Sequence, residues 1–96
     1  MMDIEQFKAE AKPFDSETYQ VLVSKQLDYG PKNISQSPGG PLNGLRVRMH
    51  DKLSRINHLI DSGATPENES LRDSFLDLAN YSTIAMMVVD GKWPSE

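Results

Sequence analysis

The sequence predicts an all-α protein, a small helical bundle of three main helices plus a short N-terminal helix. Apolar residues recur at spacings of three and four in four successive segments, which glycine or proline separates. No stretch alternates apolar and polar residues over a length that could build a sheet. At 96 residues the chain is expected to form one helical domain over 1–96, with a small core that oligomerisation completes.

The first 30 residues predict two helices. One is expected at about 3–12, because Asp3 with a glutamine three residues on resembles a capping box and Pro13 stops the run. The other is expected at about 16–28, where apolar residues repeat at three and four until Gly30 and the following proline end the pattern.

A long loop is predicted over residues 30–44, which hold four of the six glycines and three of the six prolines. Neither a helix nor a central strand is expected to run through so many residues of these two types. Loops of this length in a small protein tend to be functional or disordered.

Two more helices are expected at about 45–60 and 66–89, the last with Thr65 or Asn68 as its N-cap. The last helix is amphipathic through Asn80 and then apolar nearly all round. Such a half-helix is expected to be wholly buried, and the chain has little material of its own to bury it. We therefore expect a homo-oligomer.

Composition excludes several classes of function. The absence of cysteine removes disulfides, thiolate metal sites and cysteine nucleophiles. The charged N-terminal segment lacks the apolar core of a signal peptide, and no run reaches the length of a membrane span, so we expect a cytoplasmic protein without a membrane partner. The net charge of −4 argues against binding a long nucleic acid.

Positive charge is concentrated in the middle of this acidic chain. Residues 25–55 contain six basic and two acidic residues, a local charge of +4 that suits a small anionic ligand. On the third helix Arg48, Lys52 and Arg55 follow at spacings of four and three, with Arg46 near the helix start. Arginine forks near a helix N-terminus can bind phosphate. The loop before them lacks the ending of a phosphate-binding loop, so a hinge without a ligand is an equal interpretation.

An acidic face is predicted on the last helix. Glu69, Asp73 and Asp77 lie four residues apart, within roughly 80° around the helix axis together with Asn80. Such carboxylates can supply oxygen ligands to Mg²⁺. The alternative is a solvated face, neutralised by the arginines of the third helix or by a second subunit.

Three segments resemble a phage-associated family, the nucleotide modification associated domain of the first type. They are K-x-x-DYG at 25–30, R-x-x-DK-x-x-R at 48–55, and ESLRDSFLDLANY at 69–81. The resemblance implies an all-helical protein of phage or prophage origin, in the host cytoplasm, that is linked to nucleotide metabolism. The shared polar positions are Lys25, Asp28, Tyr29, Gly30, Arg48, Asp51, Lys52, Arg55, Glu69, Asp73, Asp77, Asn80 and Tyr81.

Two functions from different classes follow from these faces and the resemblance. The first is a phage-encoded protein that binds a nucleotide or nucleotide-derived small molecule, in nucleotide metabolism or modification or in sequestering nucleotide signals of host defence. Its ligand-binding residues would be Lys25, Asp28, Tyr29, Arg46, Arg48, Lys52, Arg55, Asn80 and Tyr81. We favour this function because the basic set is rich for so small a chain.

The alternative is a Mg²⁺-dependent nucleotide pyrophosphohydrolase, distantly similar to the all-helical MazG type. Its metal ligands would be Asp51, Glu69, Asp73 and Asp77. The sequence departs from the MazG pattern because the third helix has no E-x-x-E. A third interpretation is a structural protein whose charged faces only pair with each other.

Overall fold

The computed structural model describes residues 2–94, which form four α-helices and no strand. The helices are α1 (Ile4–Tyr29), α2 (Lys32–Ser35), α3 (Pro41–Ser62) and α4 (Leu71–Val89). The predicted all-α class is confirmed, with α1, α3 and α4 as the three long helices. The most extensive packing joins α3 to α4, while α1 lies against α4 and α2 against α3.

The two helices predicted before Gly30 form one continuous helix, α1. The Asp3 carboxylate accepts the backbone N–H of Gln6 at 2.8 Å, so the predicted cap is present, but Pro13 does not end the helix. A proline removes one backbone hydrogen bond, yet its fixed φ is compatible with a helix. Because residues 2–10 and 12–15 are all exposed, no tertiary contact forces a break at this point.

The predicted loop over 30–44 is shorter than expected. Gly30, at φ 67°, ends α1, then α2 occupies 32–35 and α3 begins at Pro41. Both Pro31 and Pro41 stand at a helix start, where the missing N–H costs no helical hydrogen bond. The proline content of this segment predicted a loop without helix, but Pro31 and Pro41 lie at the starts of α2 and α3.

The last helix begins at Leu71 rather than near residue 66, and its N-cap is Ser70 instead of Thr65 or Asn68. The backbone N–H of Asp73 donates to Ser70 Oγ at 3.0 Å, and the Ser70 N–H donates to Asp73 Oδ2 at 3.3 Å. This reciprocal capping box fixes the helix start. Glu69 consequently lies before α4 and not on its acidic face.

The core is small, as the length predicts. Ile34, Leu45 and Ile84 are buried together, with Tyr81 and Trp93 packed against them. Within one chain the end of α4 is only partly buried, since Met86 and Val89 are 62% and 70% exposed, and its predicted burial by a second copy stays a prediction. Within residues 2–94, none of the helices has the length and apolar character needed to cross a membrane.

Candidate functional site

A cleft of about 400 Å³ opens where the end of α1, the α2 segment and the middle of α4 meet. We call it the α1–α4 cleft. Several residues of the predicted ligand-binding and metal sets line it, from three different helices. They are Lys25 and Tyr29 of α1, Arg48 of α3, and Asp77, Asn80 and Tyr81 of α4.

Arg48 reaches the cleft from α3 and holds the segment that follows α1. Its Nη2 donates to the Asn33 carbonyl at 3.0 Å, and its Nη1 lies 3.4 Å from Ser37 Oγ. The Ser37 side chain packs so closely against Gly44 that a Cβ atom at residue 44 would clash with it. A guanidinium has five N–H donors, so Arg48 can hold this segment and still donate to an anion in the cleft.

Asn80 supplies an unpartnered amide to the cleft wall. The residue is 7% exposed, and its buried Nδ2 finds no hydrogen-bond acceptor among the residues that the structure describes. A buried amide without a partner costs about 1–3 kcal/mol, so native proteins rarely leave one unsatisfied. A ligand that accepts a hydrogen bond at this position would remove that cost.

Aromatic side chains line other parts of the cleft. Tyr29 is 68% exposed at the end of α1, and Tyr81 is partly buried against the core. The Trp93 indole N–H donates to the Pro31 carbonyl at 3.1 Å. Aromatic faces offer stacking surfaces for planar rings.

Next to the cleft lies a lysine–carboxylate network of Lys25, Lys52, Glu69 and Asp77. The Lys52 ammonium lies 2.8 Å from Glu69 Oε1 and 2.9 Å from Asp77 Oδ2, and Lys25 Nζ lies 3.0 Å from Asp77 Oδ1. The network therefore ties α1 and α3 to α4 through one carboxylate. Lys25 and Asp77 belong to both the network and the cleft wall.

Arg55 and Ser74 extend the network at the start of α4. Ser74 is fully buried, and its hydroxyl donates to Glu69 Oε2 at 2.6 Å. Arg55 donates to Ser74 Oγ at 3.0 Å and to the Glu69 backbone carbonyl. These bonds hold Glu69 in place before the first residue of α4.

The network keeps all four of its side chains charged. Hydrogen bonds from Lys52 and Ser74 lower the pKa of Glu69. Burial opposes the charge of Asp77, but the bonds from Lys52 and Lys25 outweigh it and lower the pKa. Burial likewise opposes the charge of Lys52, whose two carboxylate partners nevertheless raise its pKa, and Asp77 raises the pKa of Lys25.

The chain also matches a known protein family. The sequence profile of "Nucleotide modification associated domain 1" matches residues 25–89, about two thirds of the chain. The chain belongs to this family. Neither the curated proteins nor the solved structures gave a match.

The matched region of this nucleotide modification associated domain contains the network and all the residues that line the cleft except Leu22 and Trp93, whereas residues 1–24 and 90–96 lie outside it. The resemblance inferred from the three sequence segments is confirmed for the family, while the similarity to the MazG type stays a prediction.

The carboxylates predicted to bind Mg²⁺ are separated in the domain. Glu69 and Asp77 share the Lys52 ammonium, Asp73 caps α4, and Asp51 is exposed beside His50 at 3.8 Å. Within residues 2–94, no three acidic, histidine or cysteine side chains come close enough to hold a metal ion. The arrangement does not fit a carboxylate metal site, and the magnesium cofactor stays a prediction.

Other predicted residues lie away from the cleft. Arg46 donates to Asn43 Oδ1 at 2.6 Å on the exposed side of α3, Asp28 is exposed, and Lys52 and Arg55 point to the network. The expected neutralisation of the acidic face comes from Lys25, Lys52 and Arg55, and not from Arg48.

Sequence reasoning missed several lining residues, namely Leu22, Gln26, Asn33, Ile34 and Ile84. Gln26 follows Lys25 directly and lies one turn before Tyr29, so helix spacing alone would have placed it on the same side as that tyrosine. The sequence could not indicate Asn33, because Arg48 donates to the backbone carbonyl of Asn33, a group that every residue has.

Proposed function

We propose that this domain binds a nucleotide or nucleotide-derived small molecule in the α1–α4 cleft. The observation that carries the proposal is the buried, unpartnered Asn80 amide in a cleft that Arg48 and Lys25 also line. Membership of the nucleotide modification associated domain 1 family supports this class of ligand. A volume of about 400 Å³ lies within the range of small-molecule sites.

Each part of a nucleotide has a matching group in the cleft. Arg48 and Lys25 carry the positive charge that phosphate requires. Asn80 offers an amide that can donate to a base or a sugar oxygen. Tyr29, Tyr81 and Trp93 offer aromatic faces against which a base can stack.

Lys25 would have to exchange its partner on binding. Its ammonium now contacts Asp77 at 3.0 Å, and its side chain is 52% exposed. Because Lys52 also contacts Asp77, that carboxylate keeps one cation when Lys25 turns toward a phosphate. The exchange therefore leaves no unpaired carboxylate behind.

The test is thermal stabilisation by a panel of mononucleotides, triphosphates, cyclic dinucleotides and ADP-ribose derivatives, each with and without Mg²⁺. We expect at least one of them to raise the Tm at a concentration well above its Kd. No shift for any member of the panel would overturn the proposal.

Two matched pairs of variants locate the site. Arg48→Met and Asn80→Leu should remove the ligand-induced rise in Tm, because both residues line the cleft. Arg46→Met and the exposed Asn57→Leu should keep it, because neither residue lines the cleft. A rise that survives both cleft substitutions would place the ligand elsewhere.

Chromatography of the recovered ligand separates the two predicted roles. An intact ligand supports a protein that presents nucleotides to other enzymes or sequesters nucleotide signals. A monophosphate that forms only with Mg²⁺ would favour the pyrophosphohydrolase alternative. We place binding first because Lys52 occupies the space between Glu69 and Asp77. The phage origin stays a prediction.

A further inference from the structure

The N-terminal part of α1 extends past the rest of the molecule. The pairs Glu17–Arg72 and Lys25–Asp77 show that α1 and α4 run in the same direction. Phe14, Asp15 and Ser16 still lie beside α4, whereas residues 4–10 are all exposed. We call residues 4–14 the α1 overhang.

The overhang carries an apolar seam. Ile4, Phe7, Ala11 and Phe14 follow at spacings of three and four, the a and d spacing of a coiled coil. Their helical positions span roughly 80°, and Pro13 lies on another side of the helix. Ile4, Phe7 and Phe14 are 64%, 56% and 58% exposed.

The seam leads into a groove between α1 and α4. Phe14 and Phe75 line this groove, and both are about half exposed, at 58% and 49%. The Arg72 guanidinium lies 5.6 Å from the centre of the Phe14 ring. The apolar surface is therefore continuous from Ile4 to Phe75.

The solvent-accessible surface of this chain is larger than that of a compact monomer of the same mass. A folded monomer of this mass exposes about 5,500 Å², whereas this chain exposes 7064 Å². The radius of gyration is 15.4 Å, against about 12.5 Å for a compact chain of 96 residues. A standard protein interface removes about 800 Å² from each partner, so the excess of roughly 1,500 Å² is enough for a stable dimer.

We infer that the α1 overhang packs its seam against a second copy of this chain. A coiled-coil seam is self-complementary, and homo-oligomers commonly use the same patch on both copies. A lipid surface fits less well, because residues 3–17 contain five acidic and two basic side chains. The inference does not depend on the proposed nucleotide site.

The first test measures mass by light scattering over a concentration series. We expect the wild-type chain to have twice the 10.8 kDa chain mass and Phe7→Glu to be monomeric with its helical circular dichroism retained. The control is Leu27→Glu, which lies on the opposite side of α1, is 83% exposed and should stay dimeric.

The second test uses the absence of cysteine from the sequence. With a short bis-maleimide cross-linker, Ala11→Cys should give a covalent dimer, while Ala9→Cys, on the opposite side of the helix, should not. A monomeric wild-type chain, a dimer that survives Phe7→Glu, or equal cross-linking of the two cysteine variants would each overturn the inference. So would a monomer whose overhang binds anionic vesicles.

Discussion

The lysine–carboxylate network and the α1–α4 cleft share Lys25 and Asp77 but satisfy their polar groups differently. In the network, Glu69 and Asp77 each contact a lysine, and both keep their charge. In the cleft, the Asn80 Nδ2 has no hydrogen-bond acceptor among the described residues. Neighbouring residues of one sequence segment thus divide between holding the helices together and lining the cleft.

The largest effect that this comparison predicts comes from the network. Lys52→Met should lower the free energy of unfolding by about 2–4 kcal/mol, because Glu69 and Asp77 then repel each other in a partly buried site. Urea denaturation measures the loss. The ligand-induced rise in Tm should persist at a reduced size, because Lys52 does not line the cleft but Asp77 would lose its remaining cation when Lys25 turns toward a phosphate.

Lys8→Met is the matched control for that variant. Lys8 contacts Glu5 at 3.4 Å on the exposed surface, so its urea midpoint should stay close to that of the wild type. Equal losses in the two lysine variants would mean that the network does not stabilise the fold.

The next effect is a loss of stability in acid. The folded-state pKa values of Glu69 and Asp77 are lowered, so their contribution is present above the unfolded carboxylate pKa of about 4 and is lost as pH falls through the folded values. Urea denaturation from pH 7 to pH 2 should show this decline. The decline should be shallower in Lys52→Met, and an unchanged slope would contradict the network's role.

A smaller effect is expected in the cleft. Asn80→Leu removes a buried amide that has no partner and keeps a similar volume, so the free energy of unfolding should change by less than about 1 kcal/mol or rise. Asn80→Leu should also lose the ligand-induced rise in Tm, whereas Lys52→Met should retain one. A large destabilisation by Asn80→Leu would make the amide structural and remove the contrast between the two regions.

The smallest effect is expected at the exposed pair of Arg72 and Glu17. Its two hydrogen bonds measure 2.8 and 2.5 Å, but the side chains are 56% and 38% exposed, so solvent screens the attraction. Glu17→Gln should shift the Tm less than Lys52→Met does. A shift as large as that of Lys52→Met would show that short distances alone determine stability in this domain.

The helical class and the family could be predicted from the sequence. So could most of the polar residues that form the network or line the cleft. Helix spacing placed Lys52 and Arg55 on one side of α3, and in the structure they contact Glu69, Ser74 and Asp77. The partners could not be predicted, because spacing within one helix does not tell which side chain of another helix comes opposite. For that reason Lys25, distant in sequence, was not expected to contact Asp77.

The predicted helix boundaries were wrong where a proline could lie inside a helix or begin one, and where more than one residue could be the N-cap. Pro13 lies inside α1, and Pro41 begins α3. Ser70 caps α4 in place of Thr65 or Asn68 because the Asp73 side chain, three residues later, accepts the Ser70 backbone N–H and completes a capping box. That shift moves Glu69 off the helix, and the predicted acidic face becomes a capping box and a salt-bridged pair.

Pro13 also divides α1 into two parts that can open separately. A proline has no N–H to donate to the carbonyl of Ala9, so the backbone ladder of α1 is interrupted near the end of the overhang. Opening the overhang of a single chain would break few tertiary contacts, whereas opening residues 16–29 would break those with α4. In hydrogen–deuterium exchange, α1 of the monomeric Phe7→Glu variant should therefore show two populations of amides, a rapidly exchanging N-terminal set and a protected C-terminal set.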